Sequence, residues 1–220
     1  MAKRILVTAG ATQVPIDQVR AITNIFHGRT GTEIAKHFAA QGHFVTLITS
    51  NPILVNGEKT LNVIPYKTFN ELAEQMEQAL TQEYPYDIVI HSAAVSDYQA
   101  AGVFVRNENG QLTEIDSSAK ISSAYQELFI RTVPTFKIID KIRQSWGFKG
   151  KLVKFKLQVG LSEEELIKIA RKSRDDSSAD IIVANCLDWS HIYAILLDGT
   201  DNLIKVSRDL LAKELERRLV

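Results

Sequence analysis

Short apolar runs rich in β-branched residues recur along the chain, separated by stretches with helical spacing of apolar positions. "RILVTA", "HFVTLIT", "LNVIPY", "DIVIHSA", "GKLVKFKL", "ADIIVAN" and "IYAILL" have the length and composition of buried strands. Residues 31–41, 69–82, 135–145, 162–174 and 207–219 carry the helical pattern. Such alternation predicts right-handed βαβ units in an α/β, Rossmann-like fold, a mostly parallel sheet with helices on both faces. The rhythm breaks between about 98 and 133, where "NENG" and "DSSAKISS" separate shorter apolar pieces. That stretch predicts a β-hairpin or flap insertion rather than a second domain, so residues 1–220 read as one domain.

Composition narrows the picture modestly. The 220 residues are 45% hydrophobic and 24% charged, ordinary for a globular protein with a sizeable core. With 26 basic and 26 acidic residues, no charge excess points to a nucleic-acid polymer or an anionic membrane. No apolar run approaches the roughly 20 residues of a membrane span, and no apolar leader opens the chain. The lone Cys186 excludes an intramolecular disulfide and a multi-cysteine metal site. A cytoplasmic location is the expectation.

The candidate chemistry lies where strands end. The first strand runs into Thr8-Ala9-Gly10-Ala11-Thr12, but a polar segment holding Pro15, Asp17, Arg20 and Asn24 follows before the pair Gly28 and Gly31. Neither the dinucleotide fingerprint nor the P-loop pattern is present. Glycines ahead of a helix still let backbone N–H groups approach a phosphate, with Arg29 as counter-charge, although a tight loop needing positive φ gives the same spacing. "SAAVSDY" after the fourth strand puts Ala93, Ala94 and Asp97 where open α/β sheets bind ligands. Small residues there admit a base or ribose, and Asp97 suits a ribose hydroxyl or Mg²⁺; capping of a turn is the plainer role. Lys120, the single cation of "SSAKISS", is suited to closing over a phosphate, or is simply solvated. His27 is either a proton-transfer group or a hydrogen-bonded loop residue.

In combination these pieces are more specific. "ILVTAGATQVPIDQVRAITN", "GRTG", "AAVSDY", "AKISS", "VPTFKIIDKIR", "KFKLQVG" and "ADIIVAN" occur in an order that resembles the phosphopantothenoylcysteine synthetases (phosphopantothenate–cysteine ligases), in the stand-alone form. The resemblance implies a ligase of coenzyme A biosynthesis that joins 4'-phosphopantothenate to cysteine through an acyl-nucleotide. It implies a nucleoside triphosphate as co-substrate, CTP ahead of ATP, with Mg²⁺ carried on the triphosphate near Asp97, and a homodimer whose sites are shared between subunits. By the same resemblance Asn24 assists conversion of the acyl-nucleotide and Arg20 belongs to the same substrate loop. Lys120 reaches the triphosphate from a mobile flap, Asp97 lies by the ribose and Phe155 by the base. Gly10, Ala11, Thr12, Gly28, Gly31, Ala93 and Ala94 complete the expected nucleotide site.

Three places depart from the family pattern. Phe26-His27 stand where two serines are common, Lys154 where glycine precedes the phenylalanine, and Cys186 where aspartate follows the asparagine. Two rivals remain at this level. An NAD(P)-dependent short-chain oxidoreductase has similar opening blocks, but its Tyr-x-x-x-Lys pair is missing, Tyr125 being followed by Phe129. A catalytically silent nucleotide-binding subunit would keep the fold alone.

Overall fold

The computed structural model describes residues 1–200 and 202–220. After β1 (Arg4–Ala9) the chain forms a small hairpin, β2 (Gln13–Pro15) and β3 (Ala21–Thr23), before reaching α1 (Arg29–Ala40). It continues through β4 (Phe44–Thr49), β5 (Leu61–Pro65), α2 (Phe69–Leu80) and β6 (Ile88–His91). Next come β7 (Tyr98–Arg106), β8 (Leu112–Ile115), β9 (Phe129–Pro134) and α3 (Ile138–Gln144). The last part is β10 (Lys151–Gln158), α4 (Glu163–Asp176), β11 (Ile181–Cys186), β12 (Tyr193–Asp198), β13 (Leu203–Ser207) and α5 (Leu211–Leu219).

The main sheet has eight strands in the order β13-β12-β11-β10-β6-β1-β4-β5. Strands β11 to β5 in that order are mutually parallel. The chain first builds outward from β1 through β4 to β5, then returns to β6 and builds the other way. The order therefore switches between β1 and β6, where crossovers leave in opposite directions and open a crevice beyond the strands' carboxyl ends. β12 runs antiparallel to β11, and β13 antiparallel to β12. Two reversals make β13 point the same way as the parallel strands, so its carboxyl end also lies on the ligand-binding edge.

Alternation along each strand sends side chains to both faces. On β1, Ile5, Val7 and Ala9 pack with Ile34, Phe38, Leu211 and Leu215 from α1 and α5. Leu6, between them, joins Leu72, Met76, Ile138 and Ile142 from α2 and α3 on the other face. Toward the far edge, Ile182 and Ala184 of β11 meet Leu166 and Ala170 of α4. Helices α2 and α4 begin with capping boxes, Thr68 with Glu71 and Ser162 with Glu165. The stretch that breaks the rhythm is a separate antiparallel sheet, β8-β7-β9.

Two of the differences from the sequence-based expectation bear on the site. The helix read over 207–219 begins at Leu211, because Ser207 closes β13 and Arg208–Leu210 wind as a 3-10 turn. And α1 begins within "GRTG", not after it: Gly28 is the N-cap with φ 82°, so Gly31 lies in the first helical turn. A Cβ on Gly31 would come within 2.4 Å of Ser92 Oγ and 2.8 Å of Ala9 Cβ. Gly31 thus lets the start of α1 lie directly on the ends of β1 and β6.

Gly31→Ala tests this packing. Alanine is favoured over glycine in a helix by up to about 1 kcal/mol, whereas overpacking a filled site costs about 1–3 kcal/mol. The expected outcome of urea unfolding is a net loss of about 1 kcal/mol; an unchanged or higher midpoint would refute the close approach.

Candidate functional site

Two adjoining clefts open at the switch point. The first, about 580 Å³, lies between the start of α1, the β6 end and the ends of β10 and β11. Gly10, Asn24, Gly28, Gly31, Ala93 and Ala94 line it, as does Phe155. The second, about 440 Å³, is lined by Ala93, Phe155 and Asp97, with Lys137, Lys154 and His91 around them. Phe155, half-buried on β10, is shared by both clefts. The structure therefore brings together most of the expected residues, around one aromatic ring.

Ala11 and Thr12, expected at the nucleotide, line neither cleft; both are buried and hold the site from behind. Ala94 N–H donates to the Gly10 carbonyl at 2.8 Å, and Thr12 N–H to the Ala94 carbonyl at 3.3 Å. The Thr12 hydroxyl accepts the amide proton of Ser96 at 2.8 Å, and Ser50 Oγ that of Ala11 at 2.9 Å. The first three bonds lock the turn after β1 to the turn after β6, and the last ties it to the residue after β4. Their residue types follow from the burial: a threonine fills the space and satisfies an amide that water cannot reach.

Asn24 is exposed at the rim, and its Nδ2 donates to the Ala94 carbonyl at 3.1 Å. One amide proton orients the carboxamide while the second N–H remains for a ligand. Asp97 is exposed and ion-paired with Lys137, the residue capping α3. Among the described residues, no group of three or more His, Cys, Asp or Glu side chains is arranged to hold a metal ion. A divalent ion at Asp97 would have to be carried largely by its ligand's own oxygens. His27 lines the first cleft and is exposed; its carbonyl accepts from Asn51 Nδ2 at 3.4 Å.

Arg20 is engaged in a latch that sequence reasoning missed. The Asp17 side chain is fully enclosed, and accepts from the backbone of Val19 (2.8 Å), Arg20 (2.7 Å) and Ile121 (3.1 Å) and from Arg20 Nε (3.0 Å). The Arg20 guanidinium in turn donates to the Ile121 carbonyl at 2.5 Å. Burial opposes ionisation of Asp17, yet the backbone donors and the Arg20 charge outweigh it and hold the carboxyl at about 2. Both backbone groups of Ile121 are thereby clamped to the loop ahead of α1. Its neighbour Lys120 is exposed and lines neither cleft. The only sequence signal was the pairing of Asp17 with Arg20 three residues on, which reads equally as a turn.

Residues 1–215 match the family described as the DNA/pantothenate metabolism flavoprotein C-terminal domain. The chain belongs to this family. It is 39% identical to the coenzyme A biosynthesis bifunctional protein CoaBC of Thermococcus kodakarensis, over 99% of this chain and 50% of that one. The chain spans about half the length of the curated relatives it matches. Among solved structures it resembles the DNA/pantothenate metabolism flavoprotein from Streptococcus pneumoniae, with 31% identity, TM-score 0.82, and 99% and 98% of the two chains covered. A Cab2 variant in complex with phosphopantothenate-cysteine shares the fold at 18% identity, with TM-score 0.74 over 98% of this chain and 86% of that one.

Within this family domain, the second cleft holds two buried basic groups. Lys154 Nζ donates to the Ser173 carbonyl at 2.8 Å and to Ser177 Oγ at 3.1 Å. His91 Nδ1 lies 2.9 Å from the Thr8 hydroxyl, which also accepts the Ala93 amide proton at 3.2 Å. Burial, with the Lys154 charge adding to it, pulls the His91 imidazole from 6.5 down to about 4. Burial likewise pulls the Lys154 ammonium down.

Between pH 6.5 and about 4 the unfolded chain holds the His91 proton and the folded one does not. Stability from this group is therefore complete above pH 6.5 and falls as the pH drops through that window, by up to roughly 3 kcal/mol. Urea unfolding from pH 7 to 4 should show the loss, and His91→Asn should flatten it; an equal slope in the variant would assign the effect elsewhere. Separately, Asp17→Asn should speed protease cleavage within residues 106–120 on the order of tenfold, since charge-assisted bonds are lost. An unchanged cleavage rate would mean that the latch does not hold the flap.

Proposed function

We propose that this domain is a phosphopantothenate–cysteine ligase working through an acyl-nucleotide. The observation that carries the reading is the first cleft. Arg29 and Arg208 line it, no carboxylate does, and the Asn24 carboxamide stands at its rim. A cleft at a topological switch point with two guanidinium groups and the amino end of a helix suits a polyphosphate. Membership of a family whose relatives include coenzyme A biosynthesis proteins supports the substrate class.

In this reading the phosphopantothenate carboxylate attacks the α-phosphorus of a nucleoside triphosphate, and pyrophosphate leaves. The cysteine amine then attacks the acyl carbon, loses a proton and expels the nucleoside monophosphate. Asn24, oriented by Ala94, donates its remaining N–H to the acyl oxygen as charge develops there. Gly28 and Gly31 let the backbone approach the phosphates. Phe155 packs the base, and Asp97 takes the ribose after leaving Lys137. Mg²⁺ on the triphosphate oxygens would neutralise charge on the leaving pyrophosphate. Lys120 closes over the triphosphate from the flap.

CTP is the expected donor, and a homodimer is part of the same proposal. Val19, Ile22 and Ile25 are exposed, Ile25 lining the first cleft, and give a second subunit apolar surface to cover. A dinucleotide oxidoreductase is disfavoured by the family match and by the missing Tyr-x-x-x-Lys pair.

The test measures pyrophosphate release with phosphopantothenate and CTP or ATP, and product formation on adding cysteine. The expectation is pyrophosphate release that depends on phosphopantothenate, faster with CTP. In Asn24→Ala, product formation should fall about 10²–10³-fold while the acyl-nucleotide accumulates. No pyrophosphate with either nucleotide would reject the ligase, and parallel loss of both steps would make Asn24 a structural residue.

A further inference from the structure

We propose that Arg208 is a phosphate-binding residue of the first cleft, reaching the site from the far end of the sheet. It follows β13 directly, and the two reversals through β12 and β13 deliver it to the edge where the parallel strands end. There its guanidinium donates to Asn185 Oδ1 at 3.1 Å, at the end of β11, and to the Thr30 hydroxyl in the first turn of α1. One side chain thus ties together two walls of the cleft 178 residues apart along the sequence at Thr30.

What marks it as a ligand group is its missing counter-charge. Arg208 is half-buried and lines the cleft, and among the described residues it makes no ion pair. Its two partners are neutral oxygens; Glu33, the acidic group that acts on it, is exposed on α1 beyond ion-pair range. Holding a cation away from water without an opposite charge is costly, and an anion entering the cleft would offset that cost. Guanidinium has five donors, of which two are engaged here, leaving a fork edge for a phosphoryl group. Arg29 adds a second positive charge to the same cleft, whereas the second cleft mixes Asp97, Asp140 and Asp176 with its lysines. A phosphate therefore belongs in the first cleft and beside Arg208.

This inference rests on the ligase reading for its substrates but not for its chemistry. The phosphate has two sources, the nucleoside triphosphate and the phosphorylated acid, and both are tested. Binding of inorganic triphosphate with Mg²⁺ is measured by calorimetry on the full chain for the wild type, Arg208→Gln and Arg208→Lys. KM for CTP and for phosphopantothenate is measured on the same proteins, with urea midpoints to exclude unfolding. Loss of a charge-assisted contact should weaken triphosphate binding about ten- to a hundredfold in Arg208→Gln, with Arg208→Lys between. A matching rise in KM for CTP alone assigns the nucleotide phosphates. A rise in KM for phosphopantothenate alone, with triphosphate binding unchanged, assigns the phosphate of the acid. If neither binding nor either KM changes, or if the wild type binds neither anion, the inference is overturned. A wild type that binds triphosphate through Arg208 but forms no product would sink the ligase reading and leave this one standing.

Discussion

The site depends on how closely the start of α1 lies on the ends of β1 and β6. A Cβ on Gly28 would fall 2.5 Å from the Gly10 nitrogen, and one on Gly31 would strike Ser92 and Ala9. Backbone cannot yield as a flexible side chain can, so glycine is required at Gly28 both for its φ of 82° and for this contact. Because the helix sits so deep, its free N–H groups and the positive end of its dipole face the first cleft rather than solvent. The turns after β1 and β6, tied through Gly10, Thr12 and Ala94, supply the floor on which it rests. Move α1 outward by the width of a methyl group and Asn185, Arg208 and Thr30 no longer converge.

A second constraint acts on the side away from the helix. The hairpin β2–β3 contributes little burial of its own, β3 being exposed throughout. Asp17 stands in for the missing core: an enclosed carboxylate gathers three backbone amides and a guanidinium into one node. Polar bonding of this kind fixes a direction as well as a distance. It holds the segment before Asn24 at one end and Ile121, next to Lys120, at the other. Arg20 serves the node first, which explains why an arginine-bearing loop interrupts the passage from first strand to first helix.

What the sequence made legible was the part that repeats. Strands such as β1 and β11 are continuous apolar runs buried on both faces, so length and β-branching identify them. The helices after them keep clear amphipathic spacing. β13 escaped because it is an edge strand with alternating exposure and a central lysine, a pattern that also suits a helix start. The hairpin escaped because three-residue strands carry no periodicity. Gly28 and Gly31 stood out by their spacing ahead of a helix, whereas Asn24 and Phe155 were singled out only through the family resemblance; all four line the first cleft. Arg208 was not legible, since its place depends on the direction of β13, two reversals away.

The departures from the family pattern can be judged by whether each new side chain has found partners. Lys154 stands on a central strand where the family resemblance leads one to expect glycine, and an unpaired ammonium there would be intolerable. Its Nζ reaches the Ser173 carbonyl and Ser177 Oγ at the end of α4, and Ser177 is itself buried and bonded to the helix. Cys186 stands where the resemblance leads one to expect aspartate, but Asp188 lies two residues on, and its carboxylate accepts from Cys186 Sγ at 2.9 Å and from the Gly160 amide at 2.9 Å. These bonds hold the Asp188 carboxylate below its usual range. An acid is thus bonded to Cys186 from two residues further along the chain. Phe26 and His27 stand at the cleft where the resemblance leads one to expect two hydroxyls, yet the amides of α1 that follow Gly28 are untouched by side-chain identity. At Lys154 and Cys186 the side chain is absorbed by local bonding, and at Phe26 and His27 the backbone that defines the cleft is kept.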